Sequence, residues 1–230
     1  MAIHGRTARG KMGYPWVKIC GLMHPTEAIA IAEYGADAIG FICVPTSPRY
    51  VTSEQLRALG AALIANGPTV ERVGVFVDAT DVSLDEAVTA GQLTTLQLHG
   101  QESPAHCQQI RQRHPALKLI KAFRIRTPED LATIQTYGQD VDAVLLDAYH
   151  PHLFGGTGKT LDWSALQAFR PQHPWILAGG LTPENIVGAL TALSPNGVDL
   201  SSGVEDRPGQ KNLARVQQLF DTLKDLGATV

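Results

Sequence analysis

One pattern constrains this chain more than any other. A short apolar run gives way to a polar or glycine-bearing turn, and a stretch with helix-start chemistry follows. The pattern recurs eight times in 230 residues. Its first instance is Trp16–Gly21, where Trp16, Val17 and Ile19 favour a strand and Gly21 stops it. Lys18 and Cys20 are two apart in that strand and share a face. Pro25–Tyr34 then carries Pro in its first turn and Gly35 as a stop, which predicts a helix. Ala38–Ile42 predicts a second strand, followed by a polar turn at Pro45–Tyr50. A helix over Ser53–Ala65 comes next, with Thr52 or Ser53 as its N-cap.

The same rhythm predicts strands at Val73–Val77, Thr95–Leu98, Leu119–Phe123, Ala143–Leu146, Trp175–Ala178 and Val198–Leu200. Helices are predicted at Ser83–Ala90, Pro104–Arg113 and Pro128–Thr136, with others opening at Asp162-Trp163 and behind the cap Thr182-Pro-Glu-Asn185. The last runs over Asn212–Leu226. The strands are near-continuous apolar runs, as expected of a parallel sheet covered on both faces. Eight such units predict an α/β fold, a single (β/α)8 TIM barrel with eight parallel strands and outer helices. A doubly wound open sheet is the alternative, but its G-x-G-x-x-G fingerprint is missing from the first turn. Residues 16–230 form the expected catalytic domain. Residues 1–15 are a polar, glycine-containing extension with Arg6, Arg9 and Lys11, read as flexible, with a basic targeting segment as the other reading.

A net charge of −3 offers no electrostatic basis for binding nucleic acid or an anionic membrane. No apolar run approaches the roughly 20 residues that span a bilayer. Cys20, Cys43 and Cys107 are an odd number without C-x-x-C spacing, which fits a reducing cytoplasm rather than a disulfide framework or zinc site. His150-Pro-His152 lacks a carboxylate or cysteine at ligand spacing, so no metal is expected. Gly156-Thr-Gly-Lys-Thr160 imitates a nucleotide loop. The full motif requires a glycine at 153, where Leu153 stands, so the segment reads as a glycine-rich active-site loop. Lys159 in it either holds substrate or only solvates the loop.

In a barrel the active site lies at the carboxyl ends of the strands. Those ends carry Lys18 and Cys20, then Asp78, His99, Asp147, Gly179-Gly180, and Asp199 with Ser201-Ser202-Gly203; Arg49 lies in the loop after the second strand. The turns at Gly179-Gly180 and Ser201–Gly203 present bare amides at helix starts, which suits phosphate, although tight glycine turns need no ligand. Cys20 reads either as a buried small hydrophobe or as a base or nucleophile favoured by the Lys18 ammonium. Asp147 reads as an acid facing the same mouth, or as a helix cap or ion-pair partner. Arg49, between Pro48 and Tyr50, reads as a carboxylate clamp or a solvated surface residue. His99 is a hydrogen-bonding histidine or a base. An acid and a base across one mouth suit proton transfer within a bound sugar phosphate.

Taken together, Lys18-Ile-Cys-Gly21, Ser47-Pro-Arg-Tyr-Val51, Val73-Gly-Val-Phe-Val77, Gln97-Leu-His-Gly100, Leu145-Leu-Asp147, Gly155-Gly-Thr-Gly158 with Asp162-Trp163, Ala178-Gly-Gly-Leu181 and Asp199-Leu-Ser-Ser-Gly-Val-Glu205 follow in order. This ordered set resembles the phosphoribosylanthranilate isomerases of tryptophan biosynthesis. The resemblance implies an Amadori rearrangement of N-(5-phosphoribosyl)anthranilate, with Asp147 as general acid and Cys20 as general base. It also implies substrate contacts from Arg49, Lys18, His99 and Asp199, and phosphate contacts from Gly179, Gly180, Ser201, Ser202 and Gly203. No cofactor is implied, and the partner is the small-molecule substrate alone, bound by a monomer or homodimer. Leu161 replaces the commoner Phe, and Asn212 the commoner Asp. The rivals are the histidine-pathway isomerase, expected to use two aspartates, indole-glycerol-phosphate synthase, which resembles this chain less at the first strand, and a catalytically silent sugar-phosphate-binding barrel.

Overall fold

The computed structural model describes residues 14–125, 130–147, 166 and 169–228. Eight parallel strands close into a barrel in sequence order: β1 (Trp16–Cys20), β2 (Ala38–Ile42), β3 (Glu71–Phe76), β4 (Thr95–Leu98), β5 (Lys118–Arg124), β6 (Ala143–Asp147), β7 (Trp175–Ala178) and β8 (Gly197–Leu200). The expected α/β architecture is therefore present. Closure falls between β8 and β1, where Lys18 stands opposite Asp199. Around the strands lie α1 (Pro25–Tyr34), α2 (Ser53–Asn66), α3 (Asp81–Gly91), α4 (Pro104–Arg113), α5 (Asp130–Ile134), α6 (Ile186–Leu193) and α7 (Leu213–Ala228). Thr52 caps α2 through a reciprocal box with Gln55.

β3 and β5 start before their apolar runs. Their leading residues Glu71 and Lys118 pair at 2.5 Å on the amino-terminal rim, and the ladder extends under them. The chain between β8 and α7 also departs from expectation. A 3₁₀ turn (Ser202–Val204) is followed by an antiparallel ribbon, β9 (Glu205–Arg207) and β10 (Gln210–Lys211). Pro208-Gly209 joins them, and Gly209 has φ 83°, the left-handed value a Pro-Gly turn requires. The Asp162 helix, the Gly155–Gly158 loop, Lys159, His150 and His152 lie outside the described residues, as does the start of the Pro128 helix.

The packing has two layers. Outside the strands, Val17, Ile19, Phe41, Leu96, Leu98 and Leu146 meet the helices in one continuous core. From α7, Val216, Leu219, Phe220 and Leu223 repeat at helical spacing and are fully buried. Tyr14, inside the stretch expected to be flexible, is buried and packs against Phe220 at 6.4 Å between ring centroids. Tyr14 is therefore part of the packed core. Burial and the nearby Asp37 push the Tyr14 phenol up to about 12. Within the barrel a smaller core holds Ile120, Ala122, Leu145, Ile176 and Ala178. Lys18 and Gln97 are also buried, so the interior is polar towards part of the mouth, while buried Thr95 donates to Glu71 at the amino-terminal end. Among the described residues no helix is long and apolar enough to cross a membrane.

Gly40 makes room for the chemistry of β1. A Cβ there would stand 2.8 Å from Cys20 Sγ, 2.9 Å from Lys18 Cε and 3.1 Å from the Cys20 Cα. Both side chains can thus lie over β2. Gly40→Ala is expected to destabilise the fold by about 1–3 kcal/mol through overpacking, read as a lower urea midpoint at unchanged slope.

Candidate active site

The carboxyl ends of the strands surround a cavity of about 240 Å³. Cys20 from β1, Asp147 from β6, Asp199 from β8 and His99 after β4 line it, with Arg49 from the loop after β2. The turns after β7 and β8 complete the wall with Gly179, Gly180, Ser201, Ser202 and Gly203. Of the predicted site residues, Lys18 is absent from the lining. It is fully buried below the mouth, and its Nζ donates to Asp199 Oδ2 at 2.8 Å.

That pair alters the reading of Cys20. Burial pushes the Cys20 thiol above its ordinary value; Lys18 pulls it down, and Asp199 pushes it back up. The Lys18 ammonium was expected to favour the thiolate, yet its charge is already shared with Asp199, and burial prevails. Burial alone would lower the Lys18 pKa, but the charges of Asp199 and Cys20 hold it above the ordinary value. Breaking such a buried pair by removing one partner costs about 3–5 kcal/mol. The second Asp199 oxygen, Oδ1, is buried without a protein hydrogen bond, in a residue that lines the cavity.

Asp147 ends β6 with its side chain partly exposed, and its Oδ2 lies 3.6 Å from His99 Nε2. This is ion-pair range but too long for a hydrogen bond. The structure thus brings His99 to the predicted acid. Arg49 has a carboxylate partner within the chain: Nε meets Glu205 Oε1 at 2.9 Å, and Nη2 meets Oε2 at 2.5 Å. Two of its five N–H donors are directed at Glu205, and Arg49 lines the cavity.

The turn after β7 is braced by Asn185, which accepts from Thr182 N at 2.8 Å and donates to Gly180 O at 2.9 Å. After β8, the leading amides of the 3₁₀ turn have no acceptor inside that turn. The Ser201 hydroxyl donates to Cys20 O at 3.0 Å.

Three residues of the site were not singled out from the sequence. Gln97 lines the cavity with its buried Oε1 unpartnered; its position two residues before His99, on the strand's inward face, was the available signal. Glu205 closes the quoted Asp199–Glu205 motif but was given no role. Lys211 was likewise given no role. Among the described residues no group of three or more His, Cys, Asp or Glu could hold a metal ion.

Comparison with known proteins agrees with this geometry. The family model described as N-(5'-phosphoribosyl)anthranilate (PRA) isomerase matches residues 17–222. The chain belongs to this family. It is 58% identical over 207 residues to the N-(5'-phosphoribosyl)anthranilate isomerase of Synechococcus elongatus, covering 90% of this chain and 95% of that one. The Nostoc punctiforme isomerase is 54% identical over 207 residues, with 90% and 97% covered. The phosphoribosyl anthranilate isomerase structure from Thermotoga maritima superposes with a TM-score of 0.82 at 36% identity, covering 92% and 99%. Another structure of this isomerase, in complex with reduced 1-(o-carboxyphenylamino)-1-deoxyribulose 5-phosphate, gives 0.76 at 33% identity, again covering 92% and 99%.

A raised thiol pKa has a direct consequence in this family member. At pH 7 Cys20 holds less thiolate than an ordinary cysteine, so its alkylation by iodoacetamide is expected to be slow. The rate should keep climbing beyond about pH 8.5, where an ordinary thiol is half ionised. Peptide mapping by mass spectrometry reads this residue separately from Cys43 and Cys107. A plateau below pH 8 would contradict the burial argument.

Proposed function

We propose that this chain isomerises N-(5-phosphoribosyl)anthranilate to 1-(2-carboxyphenylamino)-1-deoxyribulose 5-phosphate in tryptophan biosynthesis. The observation that carries the reading is the placement of Cys20 and Asp147 on one small cavity with the amide-rich turns after β7 and β8. Those turns hold the phosphate by backbone donors, without a cation. The open edge of Arg49 takes the anthranilate carboxylate.

Asp147 gives its proton to the furanose ring oxygen. The C1–O bond breaks towards that oxygen, and the nitrogen lone pair forms the C1=N bond of a Schiff base. Cys20 then takes the proton from C2, and the C2–H electrons form C1=C2 as the C=N electrons return to nitrogen. The resulting enolamine tautomerises to the ketone. C1 is reduced and C2 oxidised within one molecule, an aldose–ketose exchange that draws on no cofactor because the imine is the electron sink. The cation formed by ring opening favours the thiolate, offsetting the burial that holds Cys20 protonated beforehand. His99 orients Asp147, and Lys18 acts from beneath by fixing Asp199, whose Oδ1 accepts from a substrate hydroxyl. The enzyme works in the cytoplasm as a monomer or homodimer.

The test follows loss of phosphoribosylanthranilate fluorescence with substrate formed in situ. Turnover by the intact protein, and a drop of about 100-fold or more in kcat for Cys20→Ala and for Asp147→Asn, is the expected result. Binding of the reduced product analogue without turnover would replace the reading with a silent sugar-phosphate barrel. Unchanged turnover in Cys20→Ala would remove that residue from the mechanism.

A further inference from the structure

Glu205 and Lys211 form a buried network beneath the mouth that the mechanism above does not use. Glu205 is 4% exposed and Lys211 fully buried, with Lys211 Nζ 2.7 Å from Glu205 Oε1. Glu205 also receives Arg49 through Nε and Nη2, and the Gly209 amide at 3.1 Å. Lys211 Nζ donates further to Ser201 O at 3.2 Å, and Ser201 Oγ donates in turn to Cys20 O. We propose that the Glu205–Lys211 pair is the positioning device for Arg49, holding its guanidinium edge-on to the cavity so that the remaining N–H donors meet the carboxylate on the substrate's aromatic ring.

Geometry and electrostatics support this. Arg49 rises from a loop, and its flexible side chain would sample many rotamers without an anchor. Glu205 grips it along one edge of the guanidinium, which fixes the plane of the whole fork. The carboxylate gripping Arg49 would also cancel its charge. Lys211 offsets this: with two cations on one carboxylate, the network keeps a net positive charge beside the mouth. Burial opposes ionisation of Glu205, but hydrogen bonds from Arg49 and Lys211 hold its carboxyl below the ordinary range. A buried ion cluster is no efficient source of stability, since well-packed apolar groups of the same volume often do better. The β9–β10 ribbon therefore reads as a bracket, because its two strands supply Glu205 and Lys211 facing each other. Through Ser201 the same bracket touches the phosphate turn and the strand end that bears Cys20.

The proposal rests on the substrate assigned above, and its test can fail separately. Two ligands are compared by calorimetry: reduced 1-(o-carboxyphenylamino)-1-deoxyribulose 5-phosphate, and its phenylamino counterpart lacking the carboxyl. Glu205→Gln should weaken the first by about tenfold or more and the second by no more than about twofold. In an Arg49→Ala background, Glu205→Gln should add nothing further for the carboxylate ligand. In turnover, Glu205→Gln should raise KM while kcat stays within about threefold. Because Glu205→Gln strands a buried ammonium, Glu205→Gln/Lys211→Met removes both charges together and should show the same ligand selectivity at near-native Tm. Equal loss for the two ligands, or additive losses with Arg49→Ala, would overturn the positioning role. An intact protein that binds both ligands but leaves phosphoribosylanthranilate unchanged would overturn the reaction and not this inference.

Discussion

The ion pair between Lys18 and Asp199 lies where the barrel closes. A parallel sheet of eight strands becomes a barrel only when its first and last strands find each other, and here β1 meets β8 with these residues in register. The pair spans 181 residues of sequence, with Lys18 fully buried and Asp199 partly buried against the cavity. A one-residue slip of β8 would turn Asp199 away from the interior and leave an ammonium unpaired in the core. The seam is therefore specified by charge as well as by apolar packing. It also sets the floor of the mouth, since Cys20 is next inward-facing after Lys18 on β1.

This arrangement explains why the mouth is polar and the rest of the barrel is not. Strand interiors need two apolar faces, one for the helices and one for the barrel core, and they become continuous apolar runs. At the strand ends titratable side chains can project without a hydrophobic neighbour to displace. Asp147, His99 and Cys20 occupy those ends. Lys18 shows the limit of the rule: one step deeper it needs a dedicated counterion, and its charge is then largely spoken for. A cation close to a thiol in sequence is thus no measure of that thiol's acidity.

The parts legible in the sequence were those encoded locally. Apolar runs marked the eight strands, Gly35 marked the end of α1, and the capping residue Thr52 marked the start of α2. The barrel rule then carried Cys20, Asp147, Arg49 and the two glycine-bearing turns to one cavity. What stayed hidden depends on partners distant in the chain. Nothing near Arg49 announces Glu205, 156 residues away. Nothing near Ser201 announces that its hydroxyl donates to the Cys20 carbonyl, 181 residues away. Tyr14 looked like part of a polar extension because its burial comes from α7, at the opposite end of the chain.

The ribbon between β8 and α7 shows how a locally readable feature can still be misassigned. Pro208-Gly209 is a turn signal by its own chemistry, yet on either side of it stand charged and polar residues, with no apolar alternation to suggest strands. The two short strands persist because Glu205 and Lys211 pair across them and Arg49 reaches in from the loop after β2. Side-chain electrostatics rather than hydrophobic patterning thus specifies this piece of secondary structure. It follows that the bracket and the arginine fork are one unit: without Arg49, Glu205 has a single cation left, and the ribbon loses its tie to the loop after β2.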